Sequence, residues 1–313
     1  MYKTPMFKTN QKTILKPVIF TGIGLHSAVK SNIKLIPAAA NHGIVFKRVD
    51  LPKNNFIKAD YKNVSSAKLC TTLKNKYGCS VSTVEHLMAA IYITGIDNLL
   101  IEINNQEVPI MDGSSRDFVK SIQAAGFKNL LTKRNYLKIN KKIEFKQDKK
   151  IISIEPNNES LTVDFELVYE NKLIGNQKNS INFAEKNLED VYNSRTFCLF
   201  EDIEKIKEVG LAKGGSLDNA IVVKKEEILN KGGLRNTKEF ANHKILDLVG
   251  DFLLSGYRIL GNVKCVQGGH HLSNIFLKKI FEDSSNYSIV QGDDESLEKR
   301  IFKTSVNKLA VNA

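Results

Sequence analysis

The stretch Ala241-Asn242-His243-Lys244-Ile245-Leu246-Asp247-Leu248-Val249-Gly250-Asp251 places Ile245, Leu246, Leu248 and Val249 at helical spacing, and Phe252 and Leu253 continue the pattern. This period predicts a helix over residues 237–256 that must bury an apolar face. Side chains four positions apart lie one above the other on a helix. His243, Asp247 and Asp251 therefore form a single row. A neutral imidazole and a carboxylate one turn apart can both reach one cation. Zinc takes this donor set and keeps a fourth position for water where the site is catalytic. The plain alternative is a solvated polar face on an amphipathic helix.

Two other stretches supply the remaining groups that metal-assisted hydrolysis requires, namely a third ligand, a base for water and an acid for the leaving group. In Ser82-Thr83-Val84-Glu85-His86-Leu87 an imidazole stands beside a carboxylate. Ser82 reads as a helix N-cap with Glu85 three residues on, as in a capping box. A cap partner and a catalytic carboxylate are both open readings of Glu85. Gly268-Gly269-His270-His271 offers two imidazoles in a glycine-rich turn. His26, in Thr21-Gly22-Ile23-Gly24-Leu25-His26, reads as structural rather than as a ligand. Cys70 precedes the Glu85-His86 helix and reads as an inert buried thiol.

Composition narrows the class. The 313 residues carry 46 Lys and Arg against 34 Asp and Glu, a net charge of +12. A basic balance favours anionic partners, but the excess is spread along the chain, without a basic block or a nucleic-acid-binding signature. No apolar run is long enough for a membrane span. The N-terminus lacks a secretion signal, and the four cysteines form no CxxC pair. A chain without stable membrane insertion, with free thiols in the cytoplasm, is expected.

The order of elements predicts two α+β domains. Residues 1–130 open with strands, carry the Glu85-His86 helix, then a strong strand at Leu99–Ile103 and a second helix at Arg116–Ala125. The pattern turns polar and basic around Asn129–Asn135. Residues 135–280 again begin with strands (Tyr136–Ile139, Lys150–Ile154, Leu161–Leu167), pass through polar, loop-like Asn171–Ser180, and end with the His243-Asp247 helix. Residues 281–313 read as a peripheral C-terminal extension.

Several motifs together resemble one family, the zinc-dependent UDP-3-O-acyl-N-acetylglucosamine deacetylases of lipid A biosynthesis in Gram-negative bacteria. They are Thr21-Gly-Ile-Gly-Leu-His26, Ser82-Thr-Val-Glu-His-Leu87, Gly95-Ile-Asp-Asn98, Pro109-Ile-Met-Asp-Gly-Ser114, Ile174-Gly-Asn176, Arg195-Thr-Phe197, Gly214-Gly-Ser216, His243-Lys-Ile-Leu-Asp247 with Asp251, and Gly269-His270. The resemblance implies two similar domains with helices sandwiched between two sheets, and release of acetate from the 2-acetamido group of an acylated UDP-sugar.

By position, the resemblance assigns His86, His243 and Asp247 to one Zn2+ per chain, with Fe2+ as an alternative metal in the cell. It makes Glu85 the general base and His270 the protonated group opposite, its ring held by Asp251. Thr196 would help bind the oxyanion, and Lys244, Phe197 and Tyr169 would contact substrate. A monomer without nucleic-acid partners is expected. Cys198-Leu199 departs from the glycine-aromatic pair common after Arg-Thr-Phe in this family, and His271 is the alternative to His270. A zinc amidase acting on another acylated sugar and a basic nucleic-acid binder are the competing readings.

Overall fold

The fold is given by a computed structural model that describes residues 10–291. Six α-helices lie among the described residues: α1 (Glu85–Thr94), α2 (Arg116–Ala125), α3 (Glu189–Tyr192), α4 (Ile203–Glu208), α5 (Glu239–Leu253) and α6 (His270–Glu282). Helix α1 is apolar almost all round, with nine of its residues buried. A helix of that kind belongs inside a protein. It packs against α5, whose residues are buried from Glu239 to Leu253 except Lys244.

Each helix pair is covered by a sheet. Over α1 and α2 lies a five-stranded sheet in the order Val18–Ile23, Lys30–Pro37, Leu99–Ile103, Ile44–Arg48, Phe56–Lys58. Lys30–Pro37 buries Ser31, Ile33 and Leu35 in alternation, as expected where one sheet face meets helices. Over α5 and α6 lies a seven-stranded sheet built around Arg258–Val266. That strand pairs in parallel with Tyr136–Lys138 through its first three residues and with Leu161–Glu166 through the rest, while Ile151–Pro156 runs antiparallel on its other side. The result is α+β: sheet, α1 and α2, α5 and α6, sheet. One apolar cluster extends from Ile14 through Leu87 and Val249 to Ile280.

Polar clamps join the halves. Asp97, after α1, accepts from the Lys12 amide at 2.6 Å and from Arg134 Nε and Nη2 at 2.7 Å each. Arg134 Nη2 also donates to the Gly95 carbonyl at 2.7 Å, and Arg258 Nη2 to that of Tyr92 at 2.8 Å. The two arginines thus satisfy carbonyls that a helix C-terminus leaves unpaired. Gly95 ends α1 at φ +78°, the left-handed conformation that glycine adopts without strain.

Several local expectations are corrected. Ser82 does not cap α1: it donates through Oγ to the Gln106 carbonyl, and the residue before the helix, Val84, makes no side-chain cap bond. The Gly268–His271 stretch is not an open turn, because α6 starts at His270. Within the loop expected at Asn171–Ser180 a strand begins, Asn176–Asn182, which pairs along Leu161–Val168, and polar Phe127–Lys133 pairs with Asn10–Ile14. The peripheral extension is expected over residues 281–313. Helix α6 runs to Glu282, and Tyr287–Gln291 adds an antiparallel strand beside Asn135–Ile139. The part of that extension beyond 291 lies outside the described residues.

Candidate metal centre

The centre forms where α1 crosses α5. The crossing is close because Gly250 faces the first turn of α1. A Cβ there would sit 2.2 Å from the Glu85 carbonyl oxygen. Immediately before the helix, Thr83 holds φ +57°, an unusual value for a β-branched residue. Its hydroxyl donates to Glu107 Oε1 at 3.0 Å. This turn delivers Glu85 and His86 side by side at the start of α1. Helix α5 supplies His243, Asp247 and Asp251 from successive turns, and α6 brings His270 in at its first residue. All six side chains are buried, so the row on α5 is an interior row and the solvated-face reading is excluded.

One ligand atom from each of His86, His243 and Asp247 falls within 4.8 Å of the others. Asp247 Oδ1 lies 3.5 Å from His86 Nε2 and 3.4 Å from His243 Nε2. It is buried without a hydrogen-bond partner, which is costly for a carboxylate oxygen unless a cation is shared there. His243 Nδ1 lies 3.1 Å from the Ser194 carbonyl. A carbonyl only accepts, so the proton sits on Nδ1 and the Nε2 lone pair faces the centre. Burial drives the His243 pKa down to about 3 despite Asp247. Burial opposes the charge of Asp247, but the neighbouring cations Lys244 and His270 hold its pKa well below the usual range. Two imidazoles and one carboxylate with an orphaned oxygen fit a divalent metal ion.

Two proton-carrying groups flank these ligands. Glu85 is buried, which raises its pKa against the pull of His270 and His86. His270 Nε2 stands 3.8 Å from Glu85 Oε1 and 3.9 Å from Asp247 Oδ2. Its Nδ1 meets Asp251 Oδ2 at 2.9 Å. Burial opposes the imidazolium, but Asp251, Glu85 and Asp247 together raise its pKa to about 10. His270 is therefore a cation facing the Glu85 carboxyl group. His271, one residue on, is exposed. Cys70 is buried, and burial together with Glu85 pushes its thiol up to about 12, so it stays protonated.

An apolar cavity of about 370 Å³ lies beside the centre, walled by Thr196, Phe197, Cys198, Phe200, Ile206 and Leu217 among others. The Phe197 ring joins the two, 6.3 Å from the ring of His243 and 5.7 Å from that of Tyr169. Lys244 Nζ lies 5.5 Å from the Phe197 ring centre and donates to Asp247 Oδ2 at 2.9 Å. Thus Lys244 is bound to the Asp247 carboxylate. Thr196 sits on the cavity wall, its amide bonded to the Gly113 carbonyl at 2.8 Å and its carbonyl accepting from the Ile221 amide at 2.8 Å.

The structure therefore gathers Glu85, His86, His243, Asp247, Asp251, His270 and Lys244 tightly, and sets Phe197, Tyr169 and Thr196 to one side. It also shows residues that pattern reading missed. Glu239, fully buried, receives Arg195 Nε at 2.8 Å and Nη2 at 3.1 Å, as well as the Arg235 amide at 2.6 Å. This fixes the segment that carries Ser194, Thr196 and Phe197. Glu107 accepts from the amides of His26 and Ser27 at 2.8 Å each, in addition to Thr83. Both glutamates look like ordinary surface residues in sequence, because their partners are distant.

The chain is similar to known proteins over most of its length. The family model for UDP-3-O-acyl N-acetylglycosamine deacetylase matches residues 11–282. The chain is 42% identical to the UDP-3-O-acyl-N-acetylglucosamine deacetylase of Nautilia profundicola, over 94% of this chain and 98% of the relative. It is 38% identical to that of Aliarcobacter butzleri over 96% and 99%, and 40% identical to that of Campylobacter jejuni strain RM1221 over 94% and 97%.

Proposed function

The chain belongs to the UDP-3-O-acyl N-acetylglycosamine deacetylase family, and on that premise we propose that it hydrolyses the 2-acetamido group of UDP-3-O-(3-hydroxyacyl)-N-acetylglucosamine, releasing acetate and the free amine. The carrying observation is the convergence of His86, His243 and Asp247 between a buried carboxylate, Glu85, and a buried imidazolium, His270. On this reading residues 1–130 contribute one metal ligand and the base, and residues 135–280 contribute the other ligands and the acid.

We assign zinc to the three ligands, with Fe2+ as the alternative, since both accept imidazole and carboxylate donors. When bound, the metal supplies Lewis acidity, polarising the amide carbonyl and lowering the pKa of water to about 7. Glu85 takes a proton from the attacking water as the new C–O bond forms. Thr196 offers its hydroxyl to the developing oxyanion, where one such donor is worth about 3 kcal/mol. His270 then gives its proton to the nitrogen as the C–N bond breaks, and Asp251 keeps its ring aimed. Asp247 is not the base, because Lys244 donates to its Oδ2 and its pKa lies well below the usual range.

Lys244 and Phe197 contact the nucleotide-sugar, Tyr169 adds an aromatic contact, and the apolar cavity takes the acyl chain. No helix among the described residues is long and apolar enough to cross a membrane, and we assign the protein to the cytoplasm as a monomer. The test is acetate release from this substrate by chelator-stripped protein before and after zinc is added. Activity only with metal is the expected result. Folded protein that binds zinc but releases no acetate would transfer the reading to another acylated amide. Folded protein that binds no metal would refute it.

A further inference from the structure

Glu85, the proposed base, and Asp251, which holds the ring of the proposed acid His270, each have one carboxylate oxygen in contact with the same residue, Thr71. Thr71 is 2% exposed and uses all its polar atoms. Its amide donates to Glu85 Oε2 at 3.0 Å, and its hydroxyl donates to Asp251 Oδ1 at 2.7 Å. Its carbonyl accepts from the Val84 amide at 3.4 Å, in the turn that enters α1. The remaining oxygen of each carboxylate faces His270: Glu85 Oε1 lies 3.8 Å from Nε2, and Asp251 Oδ2 lies 2.9 Å from Nδ1.

We infer that Thr71 is a positioning residue for deacetylation: it fixes the orientations of Glu85 and Asp251 together, and through Asp251 the ring of His270, so that base and acid are held in register across the metal ligands. The inference rests on the function proposed above. The geometry supports it in three ways. First, a carboxylate with one oxygen bonded to a rigid donor can present only the other, so a single residue selects which oxygen of each acid serves the site. Second, the hydroxyl bond ties the segment ahead of the strand Thr72–Lys74, in the first half of the chain, to α5 in the second. Third, Thr71 stands outside both the ligand cluster and the apolar cavity. Its hydroxyl can therefore be removed without deleting a metal ligand or a cavity wall.

Valine has the shape of threonine without the hydroxyl. Thr71→Val leaves Asp251 Oδ1 buried without its donor while the backbone bond to Glu85 remains. Thr71→Ser keeps the hydroxyl and loses the methyl group. With zinc-loaded full-length protein, kcat for acetate release is expected to fall about 10- to 100-fold in Thr71→Val, the range typical of partners that orient groups at metal sites. KM and zinc stoichiometry should stay at the parental values, and Thr71→Ser should retain most of kcat. Parental kcat in folded Thr71→Val would overturn the inference. So would an equal loss in valine and serine variants, or loss of bound zinc in Thr71→Val, since these point to packing rather than orientation. If Thr71→Val does not fold, Thr71→Ala against Thr71→Ser makes the same comparison of a hydroxyl present or absent. A parent protein that releases no acetate would count against the proposed function, whereas an active parent with an unaffected Thr71→Val would count against Thr71 alone.

Discussion

Replacing Gly250 with alanine sets helix propensity against interhelical space. Alanine is favoured over glycine inside a helix by about 1 kcal/mol, so an isolated α5 would gain. In the folded protein the added Cβ would lie 2.2 Å from the Glu85 carbonyl oxygen, 3.0 Å from its carbon and 3.1 Å from the Ala89 amide nitrogen. These are backbone atoms and cannot rotate away. Relaxing the shortest contact to an ordinary carbon–oxygen distance of about 3.3 Å takes roughly 1 Å of separation between α1 and α5. Overpacking of this kind costs about 1–3 kcal/mol, which the propensity gain offsets only partly. The same separation carries His86 away from His243 and Asp247. Zinc holds its ligands at about 2.0–2.2 Å, so a displacement of half that length harms binding more than folding. We expect a fall of a few degrees in the Tm of metal-free protein and a loss of zinc affinity of at least about 10- to 100-fold. Thermal unfolding after chelator treatment and competition with a chromogenic chelator measure the two quantities. A Gly250→Ala protein with parental zinc affinity and an unchanged or raised Tm would refute the reasoning, since it would mean that α1 and α5 do not meet at the distance described.

Three further outcomes follow from the site. Glu85→Gln and His270→Ala should each keep the fold and bound zinc yet lose about 10²- to 10⁴-fold in turnover, and near-parental acetate release from either variant would contradict its role. Glu239→Ala removes the partner of buried Arg195 and should destabilise the protein by about 3–5 kcal/mol in urea unfolding; a change below about 1 kcal/mol, the range of an exposed pair, would show that the pair is not buried as described. In metal-free protein the His270 pKa of about 10 lies above its unfolded value of 6.5. The stability it contributes is present in full below pH 6.5 and is lost as pH rises through about 10. The stability gap between parent and His270→Ala should therefore narrow across that window, and a gap constant with pH would disprove the shift.

What was legible in the sequence was mostly local. The helical period from Ile245 to Leu253 was readable because side-chain direction repeats every 3.6 residues whatever the helix packs on. Buried strands such as Leu161–Val168 were readable for a similar reason, since one-sided burial imposes alternation. Strands without such burial were not. Asn176–Asn182 is half-exposed on both faces and pairs on one side only, and Tyr287–Gln291 lies at the sheet edge. Tyr287–Gln291 pairs with Asn135–Ile139 far along the chain, and Asn176–Asn182 pairs with the preceding strand but buries no alternating face, so the composition of each resembles loop.

The site divides in the same way. By itself the sequence put His243, Asp247 and Asp251 on one helix face and set Glu85 beside His86, because neighbouring positions on a helix have fixed relative directions. Only tertiary structure decided that this face is buried, that Glu85 bonds to Thr71 rather than capping its helix, and that His270 rather than His271 faces the ligands. It also decided the distance between α1 and α5, through a glycine that is unremarked in sequence. Local periodicity sets the direction in which a side chain leaves its own helix. Which group it meets, and whether water lies between them, depends on the packing of helices from opposite halves of the chain.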